Sequence, residues 1–320
     1  RAHRAGARMS RILITGAAGL VGQALLDITG GAGHDIIAGD IRESARLPDG
    51  AVFHRLDVRG GDAERVIGEV RPEAVVHLAS IVTPPKGSTR DLEYEVDVTG
   101  TRNVLDACVA HGVKRLVVTS SGAAYGYHAD NPVPLNEDCA VRGNEEFAYS
   151  HHKRLVEEML AAARVDYPGL EQVVLRVGTV LGSGLDNQIT ALFRRKRLLA
   201  IAGSPSPFVF IWVDDLARIL LRAATDGPAG IYNVAGDGAL GVDDIAARLG
   251  KNVMRLPASL LKAALAVAKP LGVSRYGPEQ VRFLQYRPVL DNSRLKTVFG
   301  YVPEKSSAEA FDAWRRSVGL

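Results

Sequence analysis

Short apolar runs alternate with amphipathic stretches through roughly the first half of this 320-residue chain. The runs predict buried strands at residues 11–15, 35–39, 52–56, 74–78, 114–119 and 173–177. The stretches between them predict helices, above all at residues 23–28, 62–70, 90–111 and 148–166. Strands that alternate with helices in this way predict an α/β fold, namely a doubly wound parallel sheet of the Rossmann type with right-handed crossovers.

The pattern becomes less regular after Gly178. Strands are predicted at residues 208–211 and 231–234, and helices at residues 188–197, 212–224, 242–249, 258–268, 278–285 and 308–318. Asp214 is the expected N-cap of the helix 212–224. We expect the Rossmann domain to comprise residues 11–178 and about 208–235. The remainder, about 179–207 and 236–320, is expected to form a smaller C-terminal α/β lid that binds substrate.

Composition narrows the class of protein. Hydrophobic residues make up 47% and charged residues 23% of the chain, as is ordinary for a globular protein. The net charge of +3 argues against a nucleic-acid partner. No apolar run approaches the roughly 18 residues that a membrane-spanning helix needs, so we expect no membrane partner. Cys108 and Cys139 lie far apart in no metal-ligand spacing, which favours a reducing cytoplasm and no metal centre.

The N-terminal segment is basic and has no apolar periodicity. We expect residues 1–10 to be a flexible, solvated tail. Met9 suggests the hypothesis that residues 1–8 lie upstream of the natural start.

A glycine-rich turn follows the first predicted strand and opens the first predicted helix. Gly16, Gly19 and Gly22 have the spacing of a dinucleotide-binding turn. The first glycine permits the tight turn, the second lets a pyrophosphate approach the backbone, and the third lets the helix pack on the strand. Free N–H groups at the helix N-terminus would bind the phosphates. The expected cofactor contacts of this turn also include Ala18, Leu20 and Val21.

An acidic residue ends the second predicted strand. Asp40 lies 24 residues after Gly16, where a carboxylate accepts hydrogen bonds from an adenosine ribose. Because a carboxylate repels a 2′-phosphate, we favour NAD over NADP as the cofactor. Ile41 and Arg42 belong to the same predicted contact, although Arg42 could pair with a phosphate and weaken the preference.

Small and hydroxyl residues follow two later strands. Leu78, Ala79 and Ser80 end the fourth strand, where a flat cofactor can lie against the backbone. The fifth strand ends in Thr119, Ser120 and Ser121, and hydroxyls at this edge of a parallel sheet point into the ligand crevice. We therefore predict a cofactor contact at Thr119 and a catalytic hydroxyl at Ser121, with substrate contacts at Ser121, Gly122 and Ala123.

Tyr149 and Lys153 lie one helical turn apart on the same face of a predicted helix. An ammonium group near a phenol stabilises the phenolate and lowers a pKa that is ordinarily about 10. Such a phenol, beside a nucleotide, can move the proton that accompanies hydride transfer at an alcohol or ketone. We expect Tyr149 and Lys153 to be catalytic and to contact the cofactor.

Taken together, these segments resemble the extended short-chain dehydrogenase/reductases, that is, the NAD-dependent epimerase/dehydratase family. The matching segments are residues 15–22, Asp40, Asp57-Val58, 77–80, Ser120-Ser121 with Tyr125-Gly126, Tyr149 with Lys153, and 213–217. The resemblance implies that Tyr149 is the acid/base, and that Lys153 lowers its pKa and binds the nicotinamide ribose. It also implies that Ser121 orients the substrate oxygen, that Asp57 and Val58 contact adenine, and that the protein is a homodimer. His151 and His152 are interpreted as structural or solvated.

The chain departs from the family pattern at four positions. Thr179 stands where relatives acting on nucleotide sugars often have Asn, and Asp97 stands where the family motif Asn-Val-x-Gly-Thr has Asn. Phe208 and Trp212 occupy positions that are Arg and His in several relatives. We expect substrate contacts at Thr179, Phe208 and Trp212, with an apolar lining that suits a less charged substrate.

Three functions remain open on the sequence. The first is NAD-dependent oxidation or epimerisation of a sugar or nucleotide sugar, in which Tyr149, Lys153 and Ser121 move the proton. The second is an NAD(P)-dependent dehydrogenase for a steroid-like or phenolic alcohol or ketone. The third is a regulatory protein that binds NAD(P) without turnover.

Overall fold

The computed structural model describes residues 10–43, 46–85, 87–273 and 277–320. All but residue 10 of the predicted N-terminal tail therefore lies outside the described residues. No helix in the described ranges is both long enough and apolar enough to cross a membrane.

The elements follow one another along the chain in the alternation that the sequence predicts. The strands are β1 (Arg11–Thr15), β2 (Asp35–Asp40), β3 (Val52–Arg55), β4 (Ala74–His77), β5 (Arg115–Ser121), β6 (Glu171–Val177), β7 (Thr179–Leu181), β8 (Arg197–Ile201), β9 (Phe210–Trp212), β10 (Gly230–Val234) and β11 (Asn252–Leu256). The helices are α1 (Leu20–Thr29), α2 (Asp62–Val70), α3 (Arg90–Tyr94), α4 (Gly100–Ala110), α5 (Ala148–Asp166), α6 (Gln188–Phe193), α7 (Val213–Ala224), α8 (Val242–Leu249), α9 (Ala258–Ala268), α10 (Gln280–Gln285) and α11 (Ser307–Ser317).

Seven strands form one parallel sheet in the order β10-β6-β5-β4-β1-β2-β3. The chain runs outward from β1 to β3, returns to β4 on the other side of β1, and then runs outward again. The carboxyl ends of β1 and β4 therefore flank the point where the strand order reverses, which is where open α/β sheets bind ligands. The predicted doubly wound Rossmann sheet is confirmed.

Alternate side chains of the sheet enter two separate cores, because successive residues of a strand face opposite sides. On one face Ile12 and Ile14 of β1 pack with α1 and α7. On the other face Leu13 packs with α2, α4 and α5. Burial on both faces explains why the strands are continuous apolar runs rather than alternating ones.

A third core lies in the C-terminal half, where two short parallel sheets pair β7 with β9 and β8 with β11. Phe193, Phe208, Phe210, Phe311 and Trp314 meet in it. The prediction that the chain re-enters the main sheet from residue 208 is therefore wrong for the first strand, since β9 pairs with β7. The second predicted strand, β10, does join the main sheet beside β6.

Two predicted helices differ in the structure. The helix predicted at 188–197 ends at Phe193, and Arg197–Ile201 is a strand, because its backbone pairs with β11 while Leu198 is buried in the third core. The helix predicted at 90–111 contains a π-helical turn at Glu95–Thr99, which separates α3 from α4. A π turn inside a helix is rare and often lies at a functional site.

The predicted N-cap of α7 is wrong. Trp212 holds that position without a side-chain cap, and Asp214 lies inside the first turn. There its carboxylate accepts a hydrogen bond from the Trp212 indole at 3.1 Å. The buried acid of this helix is instead Asp215, which accepts from Tyr301 Oη at 2.7 Å and ties the C-terminal segment to α7.

Candidate active site

The glycine turn after β1 has the close approaches that its spacing predicts. Gly16 has a φ of +71°, and a Cβ there would lie 2.6 Å from the Ala79 nitrogen. A Cβ on Gly22 would lie 2.5 Å from the Gly16 carbonyl oxygen. Gly19 is the N-cap of α1, where a Cβ would meet only that same oxygen at 3.2 Å. Only a residue without a side chain fits at Gly16 and Gly22, so the backbone forms an open cradle at the N-terminus of α1.

The predicted ribose acid lies beside this cradle. One carboxylate oxygen of Asp40 accepts the Ala18 N–H at 2.9 Å, and the other accepts the Arg42 N–H at 3.0 Å. These bonds fix the carboxylate at the end of β2 against the glycine turn. Ile41 and Leu20 are exposed nearby, and Val21 packs on the first core.

The predicted adenine contacts have partners within the protein. The Asp57 carboxylate is paired with the Arg59 guanidinium at 2.6 Å, and this hydrogen bond holds the pKa of Asp57 below its ordinary value despite partial burial. The Val58 side chain is buried in the second core beside α4. The predicted contact with adenine can therefore involve only the backbone of Val58 and not its side chain.

The loop after β4 closes the cradle on its other side. The backbone at Leu78 and Ala79 lies against Gly16, and the Thr15 hydroxyl bonds His77 Nδ1 at 2.8 Å. Burial, with the positive charge of Lys153, lowers the pKa of His77 to about 3, so this imidazole stays neutral. The Ser80 side chain does not point freely into the crevice, because its hydroxyl donates to Asp97 at 2.8 Å.

The predicted catalytic residues meet where β5 and α5 lie side by side. Ser121 ends β5, and its Oγ accepts the Ala123 N–H at 3.1 Å. Lys153 is buried and donates to the Thr119 carbonyl at 3.0 Å. The Lys153 ammonium lies 5.5 Å from the centroid of the Tyr149 ring. The structure therefore brings Ser121, Tyr149 and Lys153 together at the sheet edge that holds the glycine turn.

The electrostatics of Tyr149 differ from the expectation. Burial raises the pKa of Tyr149 well above its ordinary value, and the hydrogen bond with Ser121 offsets only part of that rise. Burial also lowers the pKa of Lys153, against the negative charges of Asp97 and Glu157. The side chains of this chain alone thus hold Tyr149 as a neutral phenol, because desolvation disfavours the phenolate more than nearby groups stabilise it.

The predicted substrate contacts are divided between the crevice and the core. Gly122 and Ala123 follow Ser121 in a short 3₁₀ turn, and Thr179 begins β7 half-buried. Phe208 and Trp212 are buried in the third core and do not form an open apolar lining. The expectation of an uncharged lining at Phe208 is wrong, since the Arg287 guanidinium lies 3.8 Å above its ring.

Arg287 was not singled out from the sequence. Its guanidinium stacks on Phe208 and Phe283 and donates to the Ser206 backbone and hydroxyl. Within the described residues no carboxylate pairs with it, and its buried Nε has no partner. Burial lowers the pKa of Arg287 to about 9, the mark of a cation without a counter-charge.

Tyr127 lies between this arginine and Tyr149, the predicted catalytic tyrosine. Its buried phenol is close enough to both Tyr149 and Arg287 for each to shift its pKa, which burial chiefly raises. Its ring also packs edge-on against Phe147 and Phe283. Nothing local in the sequence marks Arg287, because its position depends on α10 packing beside residues 206–208.

A second group that the sequence interpretation missed lies behind Lys153. The imidazole of His152 and the carboxylate of Asp97 are 3.3 Å apart, and both side chains are only 1% exposed. His152 is therefore structural rather than solvated, whereas His151 is only partly buried.

A glycine cradle, a carboxylate fixed beside it and a Tyr–Lys–Ser cluster at one sheet edge are the arrangement expected of nucleotide-dependent short-chain oxidoreductases. Residues 12–235 match the NAD dependent epimerase/dehydratase family. The chain belongs to this family and is an NAD-dependent enzyme of the extended short-chain dehydrogenase/reductase type. The interpretation as a regulatory protein without turnover is thereby set aside, and the expected cofactor NAD is confirmed.

Several proteins resemble the whole chain. A UDP-glucose 4-epimerase of Mycolicibacterium smegmatis is 28% identical over 321 residues, which cover 93% of this chain and 95% of that protein. The Thermus thermophilus UDP-glucose 4-epimerase in complex with NAD has a TM-score of 0.72 at 25% identity, covering 96% of this chain and 98% of that one. The Thermotoga maritima UDP-glucose 4-epimerase with UDP-glucose has a TM-score of 0.75 at 22% identity, with the same coverage.

Proposed function

We propose that this protein oxidises and re-reduces, or reduces, a hydroxyl-bearing or keto carbon of a nucleotide sugar, with Tyr149 as the acid/base. The main observation behind the proposal is that Ser121, Tyr149 and Lys153 lie together beside the glycine cradle. The similarity to UDP-glucose 4-epimerases supports a nucleotide-sugar substrate.

The residues of this chain divide the work of the reaction. NAD supplies the hydride acceptor and a positive charge when bound. Gly16 and Gly22 leave room for its pyrophosphate, and Asp40 would bind its adenosine ribose. Ser121 would orient the substrate oxygen, and Tyr149 Oη, as the phenolate, would take the proton of the substrate hydroxyl while the hydride leaves the same carbon for NAD.

The charge on Lys153 would assist this proton transfer. Its ammonium is held by the Thr119 carbonyl, which leaves donors free for the nicotinamide ribose. Because the chain alone keeps Tyr149 neutral, we propose that the phenolate forms only when the site is filled. The pH dependence of turnover should then report the pKa of Tyr149 in the site filled with NAD and substrate.

Arg287 supports an anionic substrate. A partly buried guanidinium with no carboxylate partner among the described residues gains most when an anion pairs with it. Its stacking on Phe208 fixes the plane of the guanidinium, which suits two-point binding of a phosphate. We propose that it binds a phosphate of the nucleotide.

Thermal unfolding with and without ligands tests the substrate proposal. UDP and UDP-glucose, with NAD present, should raise the Tm of the wild type and raise that of Arg287→Met far less. Arg282→Met is the matched control, since Arg282 is an exposed arginine of α10, five residues before Arg287, and pairs with Glu146 at 2.9 Å. Equal shifts in wild type and Arg287→Met would contradict the phosphate contact.

A non-nucleotide alcohol or ketone remains a second candidate because of one observation. The rings of Tyr127, Phe147 and Phe283 pack together next to Tyr149, with centroids 4.9 and 5.4 Å apart. Such a cluster suits an aromatic or steroid-like substrate. A Tm rise with aromatic ketones or steroids, and none with any UDP, GDP or dTDP sugar, would favour this candidate over the first.

A further inference from the structure

The π-helical turn between α3 and α4 places a carboxylate in the interior against α5, the helix that carries Lys153. Asp97 lies in this turn, and one of its oxygens accepts the Ser80 hydroxyl at 2.8 Å and the Ile81 N–H at 2.9 Å. Its other oxygen faces His152 Nδ1 at 3.3 Å. Asp97 thus joins the loop after β4 to the helix α5 that carries Tyr149 and Lys153.

A buried carboxylate is unfavourable unless hydrogen bonds and a positive charge compensate it. Burial by itself would raise the pKa of Asp97, but the His152 hydrogen bond and the charge on Lys153 outweigh it, and the pKa lies below its ordinary value. The carboxylate is therefore ionised.

His152 is the partner that this chain supplies. A carboxylate can only accept, so Nδ1–H of His152 donates to Asp97. Its Nε2 is buried and without a hydrogen-bond partner in the described part of the chain, while Tyr94 packs edge-on against the ring at 5.5 Å. A second N–H at Nε2 would be a buried, unpaired donor, so the geometry favours the neutral Nδ1–H tautomer.

We propose that Asp97 and His152 form a positioning pair for Lys153, in which the carboxylate supplies the counter-charge that keeps the lysine protonated beside Tyr149. The alternative source of negative charge is Glu157, but both its oxygens are bound by the Arg176 guanidinium at 2.6–3.0 Å. The family motif carries a neutral Asn at position 97. The acid at position 97 is thus a departure in this chain, and a histidine faces it.

The charged and titratable groups around the pair come from four elements. They are Tyr94 of α3, His77 of β4, and Tyr149, His151, His152, Lys153 and Glu157 of α5, with Asp97 itself in the π turn. His77 is kept neutral by burial and adds no charge. Burial lowers the pKa of Lys153, and Asp97 raises it. Removing the charge of Asp97 would lower it further, so that the ammonium is lost at a lower pH.

Binding of NADH as a function of pH tests this inference, which rests on the proposed role of Lys153 at the nicotinamide ribose. NADH fluorescence titrations between about pH 6.5 and 10 would compare wild type, Asp97→Asn and the control His151→Gln. We expect the midpoint of the alkaline loss of affinity to fall by about one pH unit in Asp97→Asn. The affinity at the lowest pH should stay within about threefold. His151→Gln should match the wild type, because the His151 side chain hydrogen-bonds Arg154 rather than Asp97, and its ring only lies beside that of His152, with centroids 6.2 Å apart.

An unchanged midpoint in Asp97→Asn, or a loss of affinity that is equal at every pH, would overturn the inference, since a merely structural role predicts either. The result is separable from the substrate proposal. If UDP sugars fail to bind but the NADH midpoint moves as expected, the substrate assignment falls and the role of the pair stands.

A second measurement needs neither ligand nor turnover. Long-range ¹H–¹⁵N spectra of histidine-labelled wild type report the tautomer of each ring, with His152→Gln identifying the His152 signals. The neutral Nδ1–H tautomer at pH 7 supports the pair. A doubly protonated ring or the Nε2–H tautomer overturns it.

Discussion

Gly22, the third glycine of the turn, lies where no side chain fits, and substitution by alanine tests this. A Cβ on Gly22 would lie 2.5 Å from the Gly16 oxygen and 2.7 Å from both Cα and oxygen of Ala17. All three are backbone atoms of the turn, so none can rotate away as a flexible side chain would. Gly22→Ala must therefore push α1 away from β1.

Forcing a methyl group into a packed site costs about 1–3 kcal/mol, and we expect the upper end because only backbone can yield. For a chain of this length about 3 kcal/mol corresponds to a Tm lower by roughly 4–5 °C. The shift should also widen the pyrophosphate cradle, so NADH affinity should fall by at least about tenfold, which is about 1.4 kcal/mol.

Gly19→Ala is the matched control. A Cβ there meets a single backbone oxygen at 3.2 Å, and the φ of −74° suits any residue. We expect a Tm change of less than about 2 °C, or about 1 kcal/mol. Differential scanning calorimetry and NADH fluorescence measure both effects. A Gly22→Ala protein with the Tm and NADH affinity of the wild type would refute the role given to this glycine.

Two further predictions concern charge. Asp40→Ala should weaken binding of NAD by about tenfold or more and that of NADP less, because the lost carboxylate hydrogen-bonds the ribose but repels a 2′-phosphate; isothermal titration with both cofactors measures the ratio, and an unchanged ratio contradicts the contact. His77 has a folded pKa of about 3, below that of the unfolded chain, so its contribution to stability is present above about pH 6.5 and is lost as the pH falls. Relative to His77→Gln, the wild type should lose about 1.4 kcal/mol of unfolding free energy per pH unit between about pH 6 and 4. Denaturant titrations at each pH measure this free energy, and the same pH dependence in both proteins would contradict a buried neutral imidazole.

The sequence predicted the parts of the fold that rest on local patterns. The strands of the main sheet are continuous apolar runs because both faces are covered, and the glycine spacing reflects contacts within a few residues of the turn. Ser121, Tyr149 and Lys153 could be placed for the same reason: strand ends and helical spacing fix their direction.

The sequence predicted less well where distant segments decide the structure. β8 is a strand because β11, some fifty residues later, pairs with it. Arg287 reaches Phe208 only through tertiary packing, and the partnership of Asp97 with His152 spans 55 residues. The net shift of the pKa of Tyr149 depends on burial, which spacing alone does not reveal. The homodimer and the C-terminal lid stay predictions.

Substitution of Tyr149, the proposed catalytic phenol, tests the central proposal most directly. Tyr149→Phe removes one oxygen and keeps the ring that packs beside Lys153. Mixing UDP-glucose with the NAD-bound protein, and following both nucleotide reduction at the nicotinamide absorbance band and formation of the epimer, measures turnover. We predict that the variant binds NADH within about twofold of wild type, while turnover falls by roughly 10²–10⁴-fold. Turnover that survives in Tyr149→Phe at the wild-type rate would contradict the account.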